Sequence, residues 1–454
     1  MKRHTNRNLP RPSQAARWLS RLTLVIALMF IWGPAQAGLI RDTEIESELG
    51  QMIDPLLVAA GYTPGSVGIR VVLDDSFNAY VMDSHHIYVH SGLILKSKSA
   101  NELLGVMAHE IAHIKAGHVT RMSEDIQTAG TATALAALAA IAVAASGGGE
   151  AAAGVLIGGN DRARRNLLGA VRQNESVADE IGLKLLDKTK ISAVGLRDLM
   201  QRMARQRALP ENRQSEYYTT HPGAAQRLLT YQDHVTHSEY SAYEMPPVVT
   251  QIFNRVKTKL YAWTERPQRV LTTQPPDSTP LMQTYAKAIA SYRRGQLDDA
   301  LAFIDNATIT RPNDPYFWEF RGDILFSMAA PLASAESYAQ ALALRPDSPQ
   351  ILVNQGRALI ATADKAQLPA AIDALRKARS LDPQWAFTHR QLGIAYGKNG
   401  QLDAADMSLA EEAILRGDDS RAVQLAKRVL NREGTTAELT SRANDIVFTF
   451  GTTE

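Results

Sequence analysis

Apolar residues at 45, 49, 53, 56, 57 and 58 recur at helical spacing through Arg41–Ala60, so this stretch predicts an amphipathic helix. The period then shortens. Val67–Leu73 (VGIRVVL) and Ala79–His90 (AYVMDSHHIYVH) are rich in β-branched and aromatic residues and are bounded by Gly, Asp and Ser, which predicts two strands paired antiparallel. Ser91-Gly92-Leu93 turns the chain toward a further helix. There the apolar positions 103, 104, 106, 107, 108, 111, 112 and 114 leave little polar surface, the pattern of a mostly buried helix.

That helix carries the candidate chemistry. HEIAH places His109 and His113 four residues apart, so both imidazoles project from one face at a spacing that suits a single tetrahedral zinc ion. Glu110 can then reach a water at the metal as general base. Two histidines and a glutamate on a buried helix are costly unless something pairs with them, and a metal would. A third ligand must come from farther on. Glu175 and Asp179, one helical turn apart, share a face: one carboxylate can ligate while the other holds a ligand histidine through its second ring nitrogen. From spacing alone, a solvated helical face is the better reading of that pair. The metzincin pattern fails, because its glycine and third histidine would fall on Ala116 and Val119. His118 is off by about 100° of helix rotation and reads as a packing or outer-shell residue. His85, His86 and His90 read as strand histidines.

The 454-residue chain is 45% hydrophobic, enough for two or three domains with real cores. Residues 1–37 differ from the rest: a basic start, an eleven-residue apolar run at Leu22–Trp32 and Ala35-Gln36-Ala37 predict a cleaved secretory signal peptide. Its removal takes the formal net charge from +2 to −4, which argues against nucleic acid as a partner. No cysteine is present, so any metal must be held by histidine and carboxylate. Ile126–Gly149 has no charge and is dominated by alanine; with 151–159 it predicts a helical hairpin that caps the site or touches a membrane rather than spanning one. Six prolines between Glu244 and Pro280 mark a linker around a helix at Val249–Trp263.

Beyond the linker the chain repeats. Gly322, Gly356 and Gly393 are spaced by 34 and 37 residues, as are Pro312, Pro346 and Pro383, and GQLDDA at 295 returns as GQLDAA at 400. A 34-residue period with small residues and a closing proline is the tetratricopeptide signature. It predicts about four repeats from Leu281 to roughly Leu430, three extra residues in the turn at Asp364–Pro369, and a capping helix near Thr436–Phe448. Arg357, Arg376, Arg390 and Tyr396 are candidate groove residues.

HEIAH followed by Glu175-Ser176-Val177-Ala178-Asp179, with Asn78-Ala79-Tyr80 before it, His118, and Thr220-His221-Pro222 with Arg227 after it, resembles the gluzincin metalloproteases of the Oma1 and CAAX-prenyl-protease type. The resemblance implies a mostly α (α+β) chain, with a zincin-type metalloprotease domain and small β-sheet at 38–245, a linker at 246–280 and an α-solenoid at 281–454. It implies a single Zn2+ per chain held by His109, His113 and Glu175, with Glu110 as base, His221 near the metal, and Asp179, His118 and Arg227 behind them. His221 then either ligates the ion and restrains the enzyme or donates to a developing oxyanion; as a turn histidine beside Pro222 and Gly223 it would do neither. For the whole chain the resemblance implies a periplasmic endopeptidase that removes misassembled envelope proteins and supports outer-membrane β-barrel assembly. The repeats would recruit the assembly machinery, and a docking scaffold with suppressed proteolysis is the alternative.

Overall fold

The computed structural model describes residues 38–118, 161–205, 217, 221–275 and 277–451, with the backbone alone for 161–170. The predicted signal peptide and the Ala/Gly-rich stretch at 126–160 lie outside the described residues. No described helix is long and apolar enough to cross a membrane.

The chain opens with a short strand, β1 (Leu39–Ile40), and a helix, α1 (Thr43–Ala60). Asp42 caps α1 by accepting from the amide of Ile45, and Gly61 ends it in the left-handed region at φ 93°. Ile45, Leu49, Met52, Ile53, Leu56 and Leu57 are buried, whereas Val58 is 55% exposed and lies off the packed face. Strands β2 (Gly68–Val72), β3 (Ala79–Val81) and β4 (His86–His90) complete a sheet in the order β1-β2-β4-β3. The two strands predicted from the sequence are therefore three, because residues 82–85 break Ala79–His90 into a hairpin. The expected antiparallel pairing also needs correction: β2 runs parallel to β4, Ile69 opposite Ile87, while β3 pairs antiparallel with β4. β4 lies between the other two, so β3 is left as an edge. Ser91-Gly92-Leu93 does not simply turn the chain; it opens a short helix, α2 (Ser91–Lys96).

Helix α3 (Ala100–Lys115) carries HEIAH through the middle of this core. Ser99 caps it, accepting from the amide of Glu102, and Arg202 clamps the Glu102 carboxylate with two hydrogen bonds of 2.6 and 2.7 Å. Every residue from Glu102 to Ile114 is buried. Gly105 permits the close approach of α5 (Val194–Arg205), since a Cβ there would stand 2.8 Å from that of Leu196. A long helix, α4 (Asp161–Lys188), and α6 (Ala224–His237) close the other side.

The predicted linker is packed rather than loose. Helix α7 (Pro247–Thr264) contributes Phe253, Val256 and Leu260 to the core around α3, and its last turn, with the short helix α8 (Pro267–Thr272), adds Ala262 and Val270 to the next core. Helix pairs follow: α9 (Pro280–Arg293) with α10 (Leu297–Thr310), α11 (Pro315–Ser327) with α12 (Pro331–Leu344), α13 (Pro349–Ala361) with α14 (Leu368–Leu381), and α15 (Ala386–Lys398) with α16 (Leu402–Leu415). Then come α17 (Asp419–Leu430) and the predicted last helix, α18 (Ala437–Phe450). The marker glycines are explained by contact. A Cβ at Gly322, Gly356 or Gly393 would stand 2.6–2.7 Å from Tyr338, Leu375 or Leu409 of the paired helix. The three extra residues form a 3-10 turn, Lys365–Gln367, between α13 and α14. The expected groove residues separate: Arg376 and Tyr396 line a cavity between α14, α15, α16 and α18, whereas Arg357 stacks over Phe326 and Phe387 and Arg390 is exposed.

The first residues of α1 join the two halves. Glu44 is fully buried and takes Lys259, the Arg255 guanidinium and the Tyr285 hydroxyl, while Arg255 also pairs with Asp314 at the start of α11. Thr43 donates to Gln350 at 3.0–3.1 Å, and Arg41 pairs with Asp382 and lies over Trp385. The repeats are thus fixed along the edge of the first core by their inter-repeat turns.

Candidate metal centre

His109 and His113, one turn apart on α3, bring their Nε2 atoms to 3.1 Å of each other. Glu175, presented by α4, sets Oε2 3.3 Å from His109 Nε2 and Oε1 3.4 Å from His113 Nε2. His221, at the approach to α6, closes the fourth side with Nδ1 3.1 Å from Glu175 Oε2 and 3.3 Å from His109 Nε2. One ligand atom from each of these four residues lies within 4.8 Å of all the others.

Behind them stands a second layer. Asp179 Oδ1 is 3.0 Å from His109 Nδ1, and Arg227 grips both oxygens of Asp179 at 2.7 Å while its Nη1 lies 2.7 Å from Glu175. His118 sets its Nδ1 2.9 Å from His113 Nδ1, brought round by the left-handed Gly117. Each α3 imidazole therefore has a partner on the ring nitrogen that faces away from the cluster, which fixes its orientation. Glu110 is 1% exposed, its Oε1 has no hydrogen-bond partner, and the nearest imidazole nitrogen, His221 Nε2, is 3.6 Å away.

Burial and close charges shift the acids and bases of the site in opposite directions. Burial and Arg227 would lower His109, but hydrogen bonds to Asp179 and Glu175 outweigh them and hold it up to about 9. Burial pushes His113 down to about 3, despite its contact with Glu175. Burial would raise Glu175, yet the imidazoles of His221, His109 and His113 hold it well below the usual carboxylate range. Burial raises Glu110, only partly offset by His221 and His109. Two imidazole nitrogens turned toward one another, a carboxylate between them and an unpartnered glutamate oxygen fit a divalent cation bound by nitrogen and oxygen donors.

Residues 41–234 match the model described as peptidase family M48. The chain carries an M48 peptidase domain. Among curated relatives, a beta-barrel assembly-enhancing protease of Yersinia pestis is 22% identical over 86% of this chain and 80% of its own length. The Escherichia coli K12 protein of that name is 27% identical over 47% of this chain and 42% of its own length. Metalloprotease LoiP of the same strain is 29% identical over 37% of the chain and 63% of its own length. The chain thus matches under half the length of the E. coli assembly-enhancing relative. Among solved structures, the tetratricopeptide protein YrrB aligns with 39% of the chain at 16% identity and a TM-score of 0.32; the repeats are recognised here from their own helix pairs.

All eight residues singled out from the sequence meet at this place in the M48 domain: His109, His113, Glu110, Glu175 and His221 face one another, with Asp179, His118 and Arg227 behind. His85, His86 and His90 do not join them; His86 lies by Asp83, and His90 by Ser76 and Asp74. Two residues escaped the sequence reading. Tyr231 donates its hydroxyl to Asp179 and sits one turn after Arg227 on α6, a spacing that was open to inspection. Tyr217 stacks on His221 with ring centroids 4.4 Å apart, and nothing in its sequence surroundings marks it.

Proposed function

We propose that this chain is an exported zinc-dependent endopeptidase that cleaves misassembled or unfolded envelope proteins and supports outer-membrane β-barrel assembly, with its repeats recruiting protein partners. The observation that carries the proposal is the convergence of His109, His113, Glu175 and His221 on one point of a buried helix. His109, His113 and Glu175 hold the ion, and the absence of cysteine with a nitrogen and carboxylate donor set makes zinc the default. When bound, zinc polarises a peptide carbonyl and acidifies a neighbouring water. Glu110 takes the proton from the attacking water onto its free Oε1 and passes it to the leaving amine. Its buried setting raises its proton affinity, which suits a group that must both accept and return a proton. Arg227 neutralises part of the carboxylate charge and, through Asp179, fixes the ring of His109.

The envelope setting and the β-barrel substrates come from the names of the relatives and from the predicted signal peptide. One observation favours a second reading, a docking scaffold whose proteolysis is suppressed. His221 presents Nδ1 to the same point as the three ligands, where substrate or water would have to enter. The purified protein, with Glu110→Gln and His221→Ala, separates the two when bound zinc and cleavage of an unfolded protein are measured. Activity lost in the first variant and raised in the second is expected; zinc retained with no cleavage in any form would leave the scaffold.

A further inference from the structure

The first helices of the repeat pairs share one face, and the first domain covers only part of it. Tyr285 of α9 donates its hydroxyl to Glu44, Glu319 of α11 is buried within the field of Lys259, and Gln350 of α13 accepts from Thr43. Two turns farther along the same face of α11 and α13 stand Phe326 and Arg357. On α15, Phe387, Arg390 and Ile394 continue this face at helical spacing, and there it is open: Arg390 is exposed, and Ile394 is 37% exposed. Stacked helix pairs curve into an extended concave surface. Here that surface is filled by the start of α1 and by α7 over α9 and α11, and is free from Arg357 onward.

Arg357 is held in place without a carboxylate. Its guanidinium carbon lies 4.9 Å from the ring centroid of Phe326 and 5.4 Å from that of Phe387, so rings from both neighbouring first helices hold it. Nη1 makes a long hydrogen bond of 3.3 Å to Asn354 Oδ1. Among the described residues no carboxylate forms an ion pair with Arg357 or with Arg390. Asp323, whose charge Arg357 offsets in part, accepts the Tyr338 hydroxyl at 2.6 Å instead. The arginines of α17 differ: Arg428 pairs with Asp406, and Arg421 lies 3.7 Å from Glu412. A guanidinium steadied by aromatic rings, with its donors unmatched, offers a planar fork that fits a carboxylate with two parallel hydrogen bonds.

We propose that the open part of this surface takes the C-terminal end of a protein chain. The terminal carboxylate meets Arg357, with Arg390 as the second cation, and an apolar last side chain lies against Phe387 and Ile394. Charge complementarity gives the carboxylate, and the closed end of the surface gives the terminus. An extended segment that runs in over α15 meets the start of α1 just beyond Arg357, where Thr43 covers Gln350, so a chain that ends there fits and one that continues does not. This rests on the reading of the repeats as the partner-recruiting half, and it names the chemistry they recruit. A protein whose C-terminus is already packed in a folded domain is passed over. One whose end is free is held beside the M48 domain.

The test uses the full-length protein as Glu110→Gln, so that nothing bound is cut, and reads fluorescence anisotropy. Three fluorescein-labelled peptides of glycine, serine and threonine are compared. One ends in phenylalanine with a free carboxylate, and the second is the same peptide amidated. The third is also amidated and carries an aspartate after the phenylalanine, with further glycine and serine beyond it. The free acid is expected to bind, and both amidated peptides to bind at least about tenfold more weakly, the worth of a charge-assisted hydrogen bond. Arg357→Gln should weaken the free acid by a similar factor and leave the amides unchanged. Because Arg357 also packs on two rings, the exposed Arg390→Ala is measured beside it, with the same direction expected and zinc content unaltered. Equal binding of acid and amide, indifference of the acid to both substitutions, or no binding of any peptide would overturn the proposal. Equal binding of the third peptide would put an internal acidic segment there and overturn the chain end. Retention of a full-length unfolded protein is scored separately. If it is the same with and without Arg390→Ala, recruitment by the repeats stands without this site; if neither form retains it, both readings fall.

Discussion

Two buried clusters of charge border the first core, and they differ in what meets their carboxylates. At the junction with the repeats, Glu44, Asp42 and Asp314 are met by Arg255 and Lys259, and the Tyr285 hydroxyl takes the remaining lone pair of Glu44 at 2.8 Å. Lys259 touches two carboxylates there and Arg255 three, Glu48 at 3.8 Å among them, so the cluster is held by long basic side chains. At the M48 site, Glu110, Glu175 and Asp179 have one guanidinium, Arg227, and three imidazoles whose free nitrogens converge on one another. Similar residue types at similar depth thus make a structural rivet in one place and a candidate metal centre in the other. Burial of charge alone does not mark function; imidazole and carboxylate donors turned toward one point do.

Perturbing each cluster should have consequences of different kinds. Glu110→Gln is expected to lower peptide cleavage about 10³-fold while bound zinc and thermal stability stay at wild-type levels, read by kinetics, metal analysis and calorimetry. Arg255→Ala should do the reverse. It strands Glu44 and Asp314 and is expected to cost about 4 kcal/mol in denaturant unfolding, with zinc still bound to the folded fraction. A retained stability would mean that the junction is not a rivet.

The junction also sets an acid limit. Burial would raise Glu44, but Arg255, Lys259 and the Tyr285 hydroxyl hold it at about 2, below its ordinary value of 4.5. A carboxyl depressed in the folded state contributes stability in full above 4.5 and loses it as pH falls toward 2. Between pH 6 and pH 3, wild-type protein should therefore lose roughly 2 kcal/mol more than Glu44→Gln in paired unfolding curves. The smallest of these effects lies in the repeats, away from both clusters. Gly356→Ala sets a Cβ 2.6 Å from Leu375 and should cost about 1–2 kcal/mol, leaving metal binding and cleavage unchanged.

Local pattern made part of this legible. HEIAH on a buried helix, the cap-to-cap extent of α1 and the repeat register all follow from periodicity, and the helices lie where it puts them. Glu175 and Asp179 were different: spacing alone favoured a wet face, and only the family resemblance selected them, because what buries them is Arg227, some fifty residues on. The sheet was misread for a related reason. Strand order depends on which distant segment reaches an edge, and β4 slipping between β2 and β3 leaves no trace in the local alternation. β1, at two residues, is too short to carry a period. The prolines around α7 read as a linker, yet Phe253, Val256 and Leu260 at helical spacing already indicated a packed face. Tyr217 was illegible, since its importance lies wholly in a partner across space.

The most direct measurement is the zinc content of the purified protein beside that of His109→Ala and His113→Ala. The account predicts a single ion per chain in the wild type and its loss in both variants, with the fold of the repeats intact by circular dichroism. A wild-type protein that stays metal-free after incubation with zinc, or variants that keep the ion, would contradict it.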